Sequence, residues 1–442
     1  MSSILTNNSA MVALQTLKSI NMNLGKVQSE ISTGKTVESA KDNASVWAIS
    51  KVMSSDVKGF EAISDSLSLG QATVGVALNA SESITDLLTE IKAKIVNSQE
   101  ENVDRNKIQA DIEALTSQIG SISAAAQFNG LNVLSNQETT TAYTAAGTAA
   151  DGSGTVSILS SLDRSATGVA ASNIDVSKGD LTTQTGVAGT IGALNAAAFT
   201  VAGTATANGA ANATYTIVGE TTTAGRTQAV MAGDSYEFNM EIFDAALTGT
   251  PFATAQAASA GDGRALYVAK DGDTAADIAS NLVDVMNFRL AEQGFGDDFT
   301  ITSSGAAITV TNNTATALAA AAAGNITTNA GGTTSGGLAL LNEVDVTTEN
   351  GAAAALSAIE GLIQTSIDTA ADLGSSALRI ETQADFVSKL TDSLTSGIGA
   401  LVDADMEAAS AKLQALQTQQ QLGVQALSIA NQAPQTILSL FR

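Results

Sequence analysis

The 442-residue chain contains neither cysteine nor histidine. The first absence rules out disulfides and thiolate metal sites, and the second removes the commonest general base and metal ligand. Only two prolines occur, Pro251 and Pro434. Prolyl isomerisation therefore seldom delays folding, and helices at both ends can run unbroken until the last few residues. Aromatics make up 4% and charged residues 14%, against 44% hydrophobic, so the apolar content is mostly alanine, with leucine, isoleucine and valine. Alanine-rich helices pack closely but bury little area per residue. That leans toward long helices plus a small-residue β-region rather than a compact enzyme. Basic residues are scarce too, 20 against 44 acidic, for a formal net charge of -24. Nucleic acid and anionic membrane surfaces make poor partners for such a chain, because phosphate contacts need clustered Lys and Arg; the simple reading of the charge is a solvated surface. No apolar run reaches the roughly 18 residues of a membrane span. The start, MSSILTNNSAMVALQ, lacks the basic and apolar regions of a cleaved signal, so neither membrane insertion nor conventional export is expected.

Heptads dominate what is present. From the N-terminus, Ala10, Leu17, Leu24 and Ile31 repeat every seven residues, as do Ala13, Ile20 and Val27. This is an a/d seam, which drives helices to wrap around each other. Thr33-Gly34-Lys35 should end that helix. A second series follows through Phe60, Ile63, Leu67, Val74, Ala77, Ile84, Leu88, Ile91 and Ile95, weakened at Gly70 and Ser81. A third helix carries Ile108, Ile112, Leu115, Ile119 and Ile122 and ends near Asn129-Gly130, a strong turn signal. At the other end one register holds through Leu356, Ile359, Ile363, Ala370, Leu373, Ala377, Ile380, Ala384, Val387, Leu394, Ile398 and Leu401. After Asp403-Ala404-Asp405 a last series runs Met406, Ala409, Leu413, Leu416, Leu427, Ala430 and Ile437. Gln420 and Gly423 interrupt it, and such breaks usually fix register at some cost in stability.

Between about Ser135 and Val344 the chain turns to Ala, Thr, Gly and Ser. Alternating runs at 155–159, 299–302 and 307–312 predict short strands, and 274–290 predicts one amphipathic helix. Residues 186–226, the part richest in Ala, Gly and Thr, read either as a low-complexity stretch of an α+β insertion or as disorder. The fold expected is mainly α, with a terminal helical coiled-coil core made by both ends and an α+β insertion.

A lone helix leaves its a/d strip unsatisfied and is marginal in water, so pairing the two ends is economical. Residues 413–438 carry no charged side chain, which would leave apolar area exposed on an isolated hairpin. Packing many copies around an axis in an open helical polymer buries it. The alternative is an ordinary helical bundle in a soluble monomer.

Both ends resemble bacterial flagellins. The motifs are Ser3-Ile4-Leu5-Thr6-Asn7-Asn8-Ser9-Ala10, Ala40-Lys41-Asp42-Asn43-Ala44, Ile108-Gln109-Ala110-Asp111-Ile112, Gln127-Phe128-Asn129-Gly130, Asp403-Ala404-Asp405-Met406 and Ala430-Asn431-Gln432-Ala433-Pro434-Gln435 before Leu438-Ser439-Leu440. The resemblance implies a filament subunit for swimming, with 1–42 and 403–442 as the innermost helical pair. Residues 43–175 and 345–402 would form a helical layer with a β-hairpin including Val156 to Leu162, and 176–344 an outer domain. It implies self-assembly outside the cell after unfolded export by a type III apparatus, with a chaperone, cap and hook-junction proteins as partners. A hook–filament junction protein and a filament-displayed adhesin are the competing readings.

No P-loop, zinc-protease motif or nucleophile elbow occurs, and no catalytic, cofactor or metal residue is expected. Asp271-Gly272-Asp273 and Gly261-Asp262-Gly263 lack EF-hand spacing and read as turns. Asn212-Ala213-Thr214 is background, while outer-domain O-glycosylation is known in the family. Family resemblance places Leu87, Ile91 and Asp111 where many flagellins present an Arg, a Leu and a Glu to an innate immune receptor. Without the guanidinium, weak or absent activation is expected. Trp47, the only tryptophan, is expected to anchor the junction between layers or a subunit contact, or else to stand half-exposed.

Overall fold

The computed structural model describes residues 7–440 other than 137–153, 166–167, 190, 194–198, 204, 206, 210, 219–229, 248–249, 253–262, 271 and 319–325. The helices are α1 (Asn8–Thr33), α2 (Ala44–Ser98), α3 (Arg105–Ala125), α4 (Ala275–Glu292), α5 (Glu349–Val402) and α6 (Met406–Leu440). Two compact units emerge. One comprises 1–66, 161–172 and 383–442, the other 67–160 and 173–382. Among the described residues no helix is long and apolar enough to cross a membrane.

In the second unit α2 and α5 run antiparallel, burying Leu67, Ile84, Leu88, Ile91 and Ile95 of the one and Leu373 and Ile380 of the other. Leu115 and Ile363 are half-buried, and Ile112 on α3 is fully buried. The two breaks in the α2 heptads are contact points. Ser81 donates to Ser366 O (3.3 Å) and Thr85 Oγ1 meets Ser366 Oγ (2.8 Å), a satisfied polar layer that fixes the register of the two helices. Gly70 leaves room for Ile158, whose Cδ1 would lie 2.6 Å from an added Cβ. Ile158 belongs to β3 (Thr155–Ser165), paired with β4 (Gly168–Ser177) in a two-stranded sheet. After α3, β1 (Gln127–Phe128) and β2 (Leu131–Asn132) pair across Asn129 (φ 50) and Gly130 (φ 82). This is the left-handed turn that an Asn-Gly pair supports. Gln109 on α3 donates to Val344 O (3.0 Å) and accepts from Val346 N (3.0 Å), so one side-chain amide grips the returning backbone like a short strand.

Two four-stranded antiparallel sheets and α4 form the inserted domain. One has the order β10 (Phe299–Ser304), β11 (Ala307–Asn312), β7 (Ala213–Ile217), β6 (Phe199–Gly203). The other runs β5 (Ile191–Ala193), β12 (Ile326–Ala330), β8 (Ser235–Asn239), β9 (Arg264–Val268). The sheets thus use parts of 186–226, while 219–226 lie outside the described residues. Thr274 and Asp277 make a reciprocal capping box at the start of α4. Here the composition misled: the few aromatics of the chain collect in this region. Phe243 lies 4.6 Å from Phe299, 6.2 Å from Phe252 and 6.3 Å from Phe238 between ring centroids, inside a core shared with Tyr215, Leu282 and Met286.

The chain enters and leaves this domain through two paired passages. Val187 and Thr333 exchange backbone hydrogen bonds, Gly336 N donates to Gln184 O (2.8 Å), and Leu338 N to Thr182 O (3.0 Å). Asn342 Nδ2 adds a bond to Thr183 O. A Cβ at Gly336 would come within 1.9 Å of Thr182 O, and one at Gly337 within 2.1 Å of Asp180 O, so the passages meet closer than any side chain allows. Asp180 and Lys270, both largely buried, pair at 3.2 Å beside them.

Asp273 follows Gly272 (φ 88) and accepts from Tyr267 Oη (2.7 Å) and Lys270 N (2.8 Å). Burial nonetheless pushes its carboxyl above the ordinary range, opposed by those bonds and by the Lys270 charge, and burial likewise drives the Tyr267 phenol well up. A raised carboxyl contributes stability that is complete below the unfolded value, about 3.9, and lost as pH climbs through the folded one. The inserted domain of Asp273→Asn is therefore expected to unfold with a flatter pH dependence across this acidic window. Denaturant melts at a series of pH values check this; parallel wild-type and variant curves would contradict it.

Candidate assembly surface

The terminal helices are built to pair. Asn7 caps α1 through Ala10 N (3.0 Å) while its Nδ2 donates to Ala430 O (2.8 Å), joining the start of one helix to the far part of the other. Ala10, Ala13, Leu17, Ile20, Leu24 and Ile31 are half-buried and Val27 is fully buried. Facing them in antiparallel order are Ala409 and Leu416, both buried, with Leu413, Gln420, Gly423, Leu427 and Ala430 half-buried. The interruptions at Gln420 and Gly423 thus lie on the seam. Gln420 Nε2 donates to Asn21 Oδ1 (2.7 Å), while Gly423 makes space for Leu17, whose Cδ1 would be 3.2 Å from an added Cβ. Met406, in the first turn of α6, stands off the seam and is exposed. Ile437 lies on α6 with its side chain outside the described residues.

A joint closes the base of this pair. Gly34 (φ 70) ends α1 in the left-handed conformation, and its carbonyl accepts from Ala404 N (2.8 Å). Thr36 N donates to Val402 O (2.8 Å), and the backbones of Lys35 and Asp403 pair as an isolated antiparallel β-bridge. Asp405 then caps α6 by accepting from Glu407 N (3.0 Å) and Ala408 N (3.1 Å). Asp42 accepts from Ser39 N (2.9 Å) and Ser39 Oγ (3.0 Å). The backbone bond first, then the hydroxyl, hold its carboxyl below the ordinary range. Asn43 accepts from Val46 N (3.2 Å) at the start of α2. Two motifs read from the sequence are therefore turn-and-cap devices. Trp47, one turn into α2, is half-buried, with Lys51 Nζ 6.0 Å from its ring centroid. In the same unit Phe60 and Leu394 are half-buried and Val387 is buried.

The opposite faces of the hairpin are apolar and uncovered. Met11, Val12, Leu14 and Met22 on α1, and Leu422, Val424 and Ile429 on α6, are all exposed. A shallow groove of about 490 Å³ runs between Leu14, Leu17, Lys18, Asn21 and Met22. Residues 1–42 and 403–442 hold six basic and six acidic residues, so the whole charge of -24 belongs to 43–402. The face is neutral as well as apolar, a combination that marks contact surfaces. Among the described residues no group of three His, Cys, Asp or Glu could hold a metal ion; Asp271 and 261–262 lie outside them.

On α2, Leu87 is half-buried and Ile91 fully buried in the helical core. Asp111 is exposed and pairs with Lys94 Nζ at 2.6 Å, a bond that raises the Lys94 ammonium.

Family models for the bacterial flagellin N-terminal and C-terminal helical regions match residues 4–139 and 356–441. Flagellin A of Rhizobium meliloti (strain 1021) is 40% identical over 449 residues, covering all of both chains. Flagellin B of Rhizobium meliloti is 35% identical over 454 residues, again covering all of both. Among solved structures, FliC from Burkholderia pseudomallei overlaps loosely, with 15% identity and a TM-score of 0.29 over 70% of this chain and 99% of that one, and carries no weight in the assignment. The two family models fall on the helices that pair in space, and full-length relatives reach 40% identity: the chain belongs to the bacterial flagellin family.

Proposed function

We propose that copies of this flagellin polymerise by laying the uncovered outer faces of α1 and α6 against one another, so that the seam holds each hairpin together and its exterior holds the filament together. The protein is the structural subunit of the extracellular flagellar filament. The observation that carries the proposed contact is the neutral, apolar exterior of the hairpin. Residues 1–42 and 403–442 as the innermost layer, 43–175 and 345–402 as the next, and 176–344 as the outermost belong to the same proposal. Export by a type III apparatus, with chaperone, cap and hook-junction partners, fits a chain without cysteine and with two prolines. We assign it no catalytic role. Charge on 43–402 opposes association, and salt screens it, with a Debye length of about 10 Å at 0.1 M. Raising salt over purified protein should yield filaments by electron microscopy. A preparation that stays monomeric at every salt concentration would refute the reading.

Weak or absent activation of the innate flagellin receptor is part of the same reading. Leu87 has no donor to offer, Ile91 is covered by the core, and the Asp111 carboxylate is engaged by Lys94. Reporter cells given purified monomer at nanomolar concentration should respond at background level. A robust response would overturn this.

A further inference from the structure

The chain has eight methionines and no cysteine, which leaves the thioether sulfurs as its most readily oxidised atoms. Among the described residues their exposure divides by region. Met231 (7%), Met240 (0%) and Met286 (0%) lie buried in the inserted domain. Met53 is half-buried, with its Cε 3.3 Å from where a Cβ on Gly397 would stand. Met11 and Met22, by contrast, are each 62% exposed, and Met406 is 44% exposed. All three stand on α1 or α6, and Met22 lines the groove with Leu14 and Lys18.

We infer that Met11, Met22 and Met406 are separate oxidation-sensitive positions on the assembly surface: conversion to sulfoxides in the free subunit blocks polymerisation, and polymerisation in turn shields the sulfurs. The inference rests on the reading of the hairpin exterior as the contact between copies. The oxidant class is a hydroperoxide. A sulfur lone pair attacks the terminal peroxide oxygen, the S–O bond forms as the O–O bond breaks, and the departing hydroxide takes the proton of the transferred oxygen. Sulfur loses two electrons and hydrogen peroxide is reduced to water. The product is a polar acceptor where an apolar chain stood. Desolvating it between apolar helices opposes association by about tenfold for each buried group. The buried methionines of the inserted domain lie outside this chemistry until that domain unfolds.

The test uses full-length monomer treated with hydrogen peroxide, mapped by peptide mass spectrometry and then polymerised with salt. Sulfoxide should accumulate at Met11, Met22 and Met406 before Met231, Met240 and Met286, and the critical concentration should rise by about tenfold or more. The triple variant Met11→Leu, Met22→Leu, Met406→Leu should keep its critical concentration after the same treatment. Preformed filaments should oxidise at the three positions more slowly than monomers. An unchanged critical concentration in oxidised wild type overturns the inference, as does an equal loss in the triple variant, which would move the damage to a residue such as Trp47. If the triple variant fails to polymerise untreated, the oxidation rates of wild-type monomer and filament decide, and equal rates refute the shielding. Filaments formed by untreated protein lacking either terminal helix would refute the assembly reading itself, a result distinct from all of these.

Discussion

A chain lacking residues 1–34 is expected to remain monomeric under conditions in which the full chain forms filaments, and so is one lacking 406–442. Each deletion strips the partner from a seam that holds Leu17, Ile20, Leu24, Val27, Leu413 and Leu416 half or fully buried. Complete burial of such a side chain stabilises by about 1.5–3 kcal/mol, so a seam of this length is worth roughly 5–10 kcal/mol even at partial burial. The surviving helix has little means to persist alone, because most helical stability in proteins comes from packing an apolar face rather than from intrinsic propensity. Without order in the hairpin, its outer face has no defined surface to offer another copy. Sedimentation and electron microscopy read the result, and the unfolding transition of the inserted domain should be retained. Filaments from either truncated chain would falsify this account of the ends.

Phe243→Ala should produce the converse outcome. Its ring is fully buried and touches the Phe238, Phe252 and Phe299 rings, and removing a core phenylalanine costs about 3–5 kcal/mol. That is a large part of the 5–15 kcal/mol by which a domain is normally stable. The variant should therefore lose the cooperative melt of the inserted domain, or show it at far lower denaturant. Polymerisation should survive, because the proposed contact uses α1 and α6 alone. Loss of filaments with the helices still folded, judged by far-ultraviolet circular dichroism, would show that the inserted domain is needed for assembly.

The helices were legible because heptad spacing records a buried stripe directly. Val27, Leu67, Leu88, Ile112, Leu373, Ile380 and Val387 fall on that pattern and are buried. The Gly34 stop and the Asn129-Gly130 turn were legible because left-handed turns select residue types. Polar partnerships between distant segments were not. Ser81 and Gly70 look like defects in a heptad until Ser366 and Ile158 are placed beside them, and nothing local announces a partner nearly 300 residues away. Gln109 sat inside a recognised motif, yet its grip on Val344 and Val346 depends on where the chain returns. Met11 and Met22 were equally hidden, since a seven-residue pattern marks the covered side of a helix and says nothing about its back, while Met406 fits the heptad spacing and yet is exposed.

The glycine-lined meeting of 182–187 with 333–338 has a consequence for how such proteins diversify. Because departing and returning backbone are already bonded to each other there, whatever lies beyond is held at two points one hydrogen bond apart. A segment of almost any length with adjacent ends could replace it without altering the spacing that the flanking helices require. The inserted domain is in that sense an exchangeable cassette. The pairing of Thr182, Gln184 and Val187 with Leu338, Gly336 and Thr333 is the natural boundary at which to graft a foreign domain for display on the filament.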